Sequence, residues 1–219
     1  HNGSRGLGDV YKRQILGYSI AATIVFTYVG LFGEYAVAGY GSATRIEQVV
    51  LLPILGINTA IISIIAQNIG AKYYDRVEQS YFTSIKYGLF IMLIAGVVIF
   101  ISADIVPKFF SSNPDVIMHG SMYLKISAFI LPAYPIFFLS NGFFMALKKS
   151  EKAMVNNIAR NVIVPVLSFY IAKYLDADFK TFFYIWAIFQ WLISLMLLFY
   201  VKYYICLLYK SDAADDDRS

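Results

Sequence analysis

The chain has 219 residues, of which 59% are hydrophobic and only 15% charged, with a mean hydropathy of +0.62 and a net charge of +4. Soluble domains carry about a quarter charged residues, so an ordinary soluble domain is excluded, and so small a positive charge gives no reason to expect a nucleic-acid partner. A lone cysteine, Cys206, excludes a disulfide scaffold.

The two ends differ from the middle. Residues 1–14 are polar and Gly-rich, and apolar sequence starts abruptly at Ile15. The run SRGLGDVYKRQ, from Ser4 to Gln14, is similar to an in-frame translation of a transposase adapter used in DNA library preparation. At the far end CLLY (Cys206 to Tyr209) and SDAAD (Ser211 to Asp215) are similar to the partner adapter, with departures at Lys210 and Asp216. Segments 1–14 and 206–219 are therefore expected to be adapter-derived and are set aside before fold reasoning. The informative part is 15–205, expected to be a piece of a longer chain.

A bilayer core about 30 Å thick needs about 20 apolar helical residues. Long uncharged windows recur at 15–33, 48–71, 87–103, 126–147, 161–172 and 181–201, so an all-α membrane protein with six transmembrane helices is expected. The fifth window is short and requires Arg160 or Lys173 to sit at a membrane edge. Strands fit poorly, because the runs are continuously apolar and too long. Gly70 is placed to end the second helix, and Asn113-Pro114-Asp115 to open another with a cap, a first-turn proline and an acid. Asp176-Ala177-Asp178 marks a short loop between the last two spans. Basic residues set orientation: Lys72, Arg76, Lys86, Lys148, Lys149, Lys152, Arg160 and Lys202 outnumber Arg45, Lys108, Lys125, Lys173 and Lys180. The first set is expected on the cytoplasmic side. The linker 71–81 (AKYYDRVEQSY) then reads as a short interfacial amphipathic helix.

Polarity concentrates in the second span. At about 100° per residue, Glu47 and Asn58 share one face, Gln48 and Thr59 line the next, and Ser63 drifts only slightly from it. Pro53 removes a backbone donor and favours a kink. A polar sector beside a kink suits a water-filled path; the same residues also suit helix packing. In the first span Ser19, Thr23 and Thr27 form a hydroxyl stripe with Tyr18 and Tyr28 beside it, again a packing seam or a lining. Pro132 and Pro135 imply a bend in the fourth span, which also carries Asn141. Lys86, Asp104 and Lys125 sit at span ends and read as interfacial anchors. The cluster Asn156, Asn157, Arg160 and Asn161 reads as an interhelix joint, and His119 as a solvated residue. No His, Cys or carboxylate group has metal-ligand spacing and no Ser–His–Asp set can be assembled, so neither a metal cofactor nor an enzyme is expected.

Taken together, Ala36 to Gln48 (AVAGYGSATRIEQ), Leu52 to Ala60 (LPILGINTA) and Ala66 to Ala71 (AQNIGA) resemble the bacterial multidrug and toxic compound extrusion (MATE) transporters. In that resemblance the first stretch starts as a small-residue loop. FFSSNPDV from Phe109 to Val116 and Asn141-Gly142 fit more loosely, and the likeness covers 15–205. The resemblance implies one six-helix lobe of a two-lobe fold, helices seven to twelve, with an N-terminal lobe missing. It further implies cation-coupled efflux, by Na⁺ or H⁺, of amphipathic and often cationic small molecules across a bacterial inner membrane by alternating access. Residues expected to line the cavity are Tyr18, Thr27, Glu47, Asn58, Thr59, Ser63 and Asn141, with Glu47 as the candidate for ion or proton coupling. Pairing of Glu47 with a Lys or Arg on another helix is the structural alternative. The sequence departs from some members in having no acid within 126–147. The rival readings are a lipid-linked oligosaccharide flippase of the same broad superfamily, for which mid-membrane Lys and Arg are too few, and a membrane scaffold that transports nothing.

Overall fold

The computed structural model describes residues 22–216, with side chains as far as residue 210. Tyr18 and Ser19 lie outside the described residues, as does segment 1–14. Among the described residues all regular structure is helical. In chain order these are α1 (22–30), α2 (Glu34–Val50), α3 (Leu52–Gly70), α4 (Tyr74–Ser102), a 3₁₀ turn (Val106–Phe109), α5 (Pro114–Ile130), α6 (Ala133–Ala146), α7 (Ser150–Ile158), a π turn (Ala159–Ile163), α8 (Val164–Tyr174) and α9 (Phe179–Asp216). Leu52–Gly70, Tyr74–Ser102, Ser150–Tyr174 and Phe179–Lys210 are each long and apolar enough to span a bilayer, and α5 with α6 does so as a pair bent by 54°. The expected all-α membrane fold is what the chain adopts.

Several boundaries differ from the sequence reading. The small-residue stretch around Ala36–Ala43 is the body of α2 and not a loop. Gly33, at φ +98°, turns the chain from α1 into it, a backbone conformation that favours glycine. The small residues are there for close packing: a Cβ on Gly39 would lie 2.6 Å from the Val116 carbonyl oxygen and 2.8 Å from the Gly120 nitrogen. That approach lets α2 and α5 run side by side in the same direction, Gly39 opposite Gly120 and Glu47 opposite Tyr123.

Helix α2 is interrupted at Leu51, and Pro53 then sits in the first turn of α3. Pro132 and Pro135 break the fourth span as expected, between α5 and α6. One Phe129 carbonyl at this bend is met by the Trp191 indole N–H at 2.9 Å. The fourth span also starts earlier than its apolar window, because α5 opens at Pro114, where the Asn113 side chain accepts from the Asp115 N–H at 2.9 Å. The fifth span is not the short 161–172 segment; α7, the π turn and α8 form one 25-residue run. Arg160 is therefore inside it and not at a membrane edge. The linker expected over 71–81 shrinks to 71–73, and Tyr74–Tyr81 is the start of α4, with Val77 and Tyr81 fully buried.

Helix ends use an unexpected device. Gly70 is the last residue of α3, and the left-handed residue that follows is Lys72 (φ 58°). Lys148 (φ 58°) and Asp176 (φ 48°) repeat it after α6 and α8. In each case the next N–H reaches back five residues: Tyr73 to Asn68 at 2.8 Å, Lys149 to Phe144 at 2.9 Å, Ala177 to Ala172 at 2.9 Å. This 6→1 bond closes the helix and offsets the cost, on the order of 1 kcal/mol, of a left-handed non-glycine residue. Helix α9 runs unbroken across residue 205.

The core divides where the helices break. One apolar cluster surrounds α2 and α5 with Tyr40, Met92, Tyr123 and Phe183; the other surrounds α3 and α6 with Ile61, Tyr81, Phe143 and Val201.

Candidate functional site

Glu47 lies on the face of α2 that meets α5, one turn before the break at Leu51, and is only 7% exposed. A carboxylate inside a membrane costs several kcal/mol unless it is held by donors (about 2.5–3.5 on insertion scales). Tyr123 and Ser127 are four apart on α5 and share a face. Both hydroxyls donate to Glu47 Oε2, at 2.5 and 2.9 Å. Tyr134, just past the bend on α6, donates to Oε1. The three donors thus come from both sides of the bend, and they tie α2 to α5 and α6 through one carboxyl group. Tyr40 packs edge-on against Tyr123 at 4.9 Å and closes the cluster.

A cavity of about 280 Å³ opens beside this carboxylate, lined by Glu47, Gln48, Tyr134, Arg160, Asn161 and Gln190 among others. Arg160 is 7% exposed. Its Nε donates to Gln190 Oε1 at 2.7 Å, and its guanidinium stacks on the rings of Tyr134 at 4.4 Å and Phe137 at 4.3 Å. The π turn places it there. Pro165 has no N–H to continue the helical ladder, and the Val164 N–H instead reaches the Ala159 carbonyl, five residues back. Such π turns recur at functional sites. An acid and a base therefore face one space from two different spans, between walls that mix polar side chains (Gln48, Asn161, Gln190) with apolar ones (Val25, Leu51, Trp186).

The remaining expected residues are placed elsewhere. Thr27 and Thr59 are exposed, their hydroxyls bonded to the carbonyls of Thr23 and Leu55 in their own helices. Ser63 is exposed. Asn58 packs against Gly142 of α6, and its Oδ1 is buried with no hydrogen-bond partner. Asn141 is buried and accepts from Asn156 at 3.2 Å; of the cluster expected to form an interhelix joint, Asn156 thus reaches α6, Asn157 donates to the Ala153 carbonyl of its own helix, and Arg160 reaches Gln190 of α9. None of these five lines the Glu47 cavity, and the break at Leu51 separates Glu47 from Asn58. Tyr123, Ser127, Tyr134, Arg160 and Gln190 were not singled out as lining from the sequence. The Tyr123–Ser127 spacing and a basic residue midway through a 25-residue span are the signals that could have found them. Among the described residues no His, Cys, Asp or Glu group could hold a metal ion.

Comparison with known proteins agrees with this architecture. The MatE family profile matches residues 14–170. The probable multidrug resistance protein YpnP of Bacillus subtilis is 27% identical over 150 residues, covering 68% of this chain and 32% of its own. The FAD transporter of Shewanella oneidensis is 23% identical, covering 72% and 35%. The fold superposes on a MATE crystal structure in complex with MaL6 with a TM-score of 0.85, at 21% identity, over 93% of this chain and 46% of that one. An outward-facing multidrug resistance MATE transporter of the MOP superfamily gives 0.84 at 21% identity, over 90% and 45%. The chain thus spans about a third of the curated relatives it matches and just under half of the solved structures. With the family match running from residue 14 into α8, over more than half of the chain, the chain belongs to the MatE family of multi-pass membrane transporters.

Proposed function

We propose that the chain is the C-terminal lobe of an efflux transporter that exports amphipathic, often cationic, compounds across a bacterial inner membrane by alternating access, coupled to Na⁺ or H⁺. The multidrug transport named for its relatives supports the substrate class. The observation that carries the coupling is Glu47: a buried membrane carboxylate whose three hydroxyl donors straddle a helix bend. Neutralising that charge, by a proton or a bound cation, weakens all three bonds at once. It thereby changes what holds α6 against α2. Charge state is converted into helix position, which is what ion-coupled alternation requires. The second lobe supplies the opposite wall of the substrate cavity, and Thr27, Asn58, Thr59 and Ser63 line this side of it.

In the intact two-lobe protein, expressed in drug-sensitive cells, Glu47→Gln should lower cationic dye efflux about tenfold or more, since hydrogen bonds to a charged group are worth about 1.5–3 kcal/mol. Asn58→Ala should lower it less, and both variants should reach the membrane in normal amounts. Unimpaired efflux in both would remove the two residues from the path.

Arg160 favours a second reading. A buried guanidinium beside a cavity suits an anionic cargo, and the mid-membrane base that a lipid-linked oligosaccharide flippase needs is present here after all. The Shewanella relative is named for FAD, whose pyrophosphate is such a group. Preferential transport of an anionic over a cationic dye by the intact protein, lost in Arg160→Gln, would select this reading.

A further inference from the structure

A second cavity, of about 520 Å³, lies between α9 and the stretch formed by α7, the π turn and the first residue of α8. Its walls include Ile163, Val164, Phe189, Leu192, Met196 and Tyr200. Leu192 and Met196 are 50% and 70% exposed, so the groove is open along its length. From Phe189 to Tyr200 helix α9 rises about 16 Å at 1.5 Å per residue. That is about the depth of one leaflet of a 30 Å hydrocarbon core.

Tyr200 ends the apolar groove and begins something different. Lys152 meets the Tyr200 hydroxyl and lies 5.0 Å from the ring centroids of both Tyr200 and Tyr204. Lys149 meets the Tyr204 hydroxyl and lies 4.7 Å from the same Tyr204 centroid. Two ammonium groups are thus held on one aromatic ring. Among the described residues no carboxylate lies within ion-pairing distance of either. Glu151, next in sequence, is the acid that acts on Lys152, from an exposed position. The two tyrosine rings hold the ammonium groups by cation–π contact, and no direct ion pair neutralises the two like charges among the described residues.

We propose that this site binds an anionic glycerophospholipid, with one acyl chain along the groove between α7, the π turn and α9, and the phosphate on Lys149 and Lys152. Apolar groove, one-leaflet length and paired cations are continuous through Tyr200, and a phospholipid is the ligand that carries all three complements in that order. Soluble phosphate would answer the lysines and leave the groove. The other lobe of the transporter would cover the groove without calling for a charge at its end. The pair lies on the side expected to be cytoplasmic, where basic pockets between membrane helices recognise anionic headgroups.

The test is native mass spectrometry of the full chain in detergent, with dioleoylphosphatidylglycerol and dioleoylphosphatidylcholine added in equal amounts. Phosphatidylglycerol should be retained about thirtyfold better, the effect expected of two lysines at a membrane surface. Lys149→Gln with Lys152→Gln should abolish the preference, and Lys149→Arg with Lys152→Arg should keep it. Met196→Trp should fill the groove and lower retention of both lipids, which tests the site even where the glutamine pair fails to fold. Equal retention of the two lipids by the unaltered chain would overturn the proposal. A preference that survives the glutamine pair, or displacement of the lipid by millimolar inorganic phosphate, would overturn it too. Loss of the adduct in the intact two-lobe protein would assign the groove to the other lobe.

Discussion

In one half of the molecule α2 lies along α5, and the Glu47 carboxyl receives hydroxyls from Tyr123, Ser127 and Tyr134. In the other half α3 lies along α6 in the same sense, and Asn58 Oδ1 meets Gly142 with no hydrogen-bond partner. The two halves are joined by breaks at the same level, Leu51 in one layer and Leu131–Pro132 in the other. A broken helix frees backbone groups that a bilayer cannot satisfy. The Glu47 half gathers its polar side chains within about two turns of the breaks, whereas the Asn58 half is filled with Ile61, Ile65, Phe143 and Phe144. Similar packing therefore serves two ends: one half positions a charge, the other holds two helices together.

The largest effect that separates the halves should come from a single methyl group. In Gly39→Ala the new Cβ meets backbone of Val116 and Gly120, at 2.6 and 2.8 Å. Neither can rotate away, so α2 and α5 must part, at a cost of about 1–3 kcal/mol. In Gly142→Ala the new Cβ meets the end of the Asn58 side chain, which has no hydrogen bond at Oδ1 to lose and two torsions to move. Its cost should stay below about 1 kcal/mol. The retained monodisperse fraction after heating in detergent measures both. Equal losses would mean that the two layers are packed alike.

Next in size are the polar groups themselves. Tyr134→Phe removes one donor from a buried carboxylate, and should cost about 1.5 kcal/mol or more. Asn58→Ala removes an oxygen that has no partner, and should be close to neutral or mildly stabilising, whatever it does to efflux. Urea or heat titration of the two variants decides this. A larger loss from Asn58→Ala would place the organising polar contact in the other half.

The two halves were not equally readable in the sequence. Apolar length located the second, third, fourth and sixth spans but mis-set the fifth, and Pro132 with Pro135 marked the bend, because proline acts on the backbone at its own position. Asn113-Pro114-Asp115 was legible for the same reason: a cap is a local contact. Glu47 stood out as the acid of the second span, but its partners lie more than seventy residues away on α5 and α6, and no local pattern records such a meeting. The helix of Ala36–Ala43 was hidden by its own small residues, which read as a loop until the close approach of α5 explains them. Arg160 was misplaced because a charge was used to end an apolar window. Its cost inside the span is offset by Gln190 and the rings of Tyr134 and Phe137, all remote in sequence.

The smallest effect compares two acids held by one helix. On α5, Tyr123 and Ser127 serve Glu47, while Ser121 and Lys125, also four apart, serve Asp104 beyond the end of α4. The Lys125 ammonium, 2.8 Å away, holds the Asp104 carboxyl below the usual carboxylate range, and the Ser121 hydroxyl adds to this. A lowered folded-state value means that the contact stabilises the fold above the ordinary carboxylate pKa and is lost as pH falls through the lowered one. The pair is exposed, 40% at Lys125 and 65% at Asp104, so its worth is at most about 1 kcal/mol and shrinks in salt. Asp104→Asn should therefore melt slightly below the unaltered chain at pH 7 and low salt. The gap should close as pH falls below about 4, and also close at neutral pH in 1 M salt, where the Debye length is about 3 Å. A gap that persists in acid would show that Asp104 acts through its packing and not its charge. The α5 faces would then differ in burial alone, and the contrast between a charge sealed among hydroxyls and one left in solvent would no longer rest on this pair.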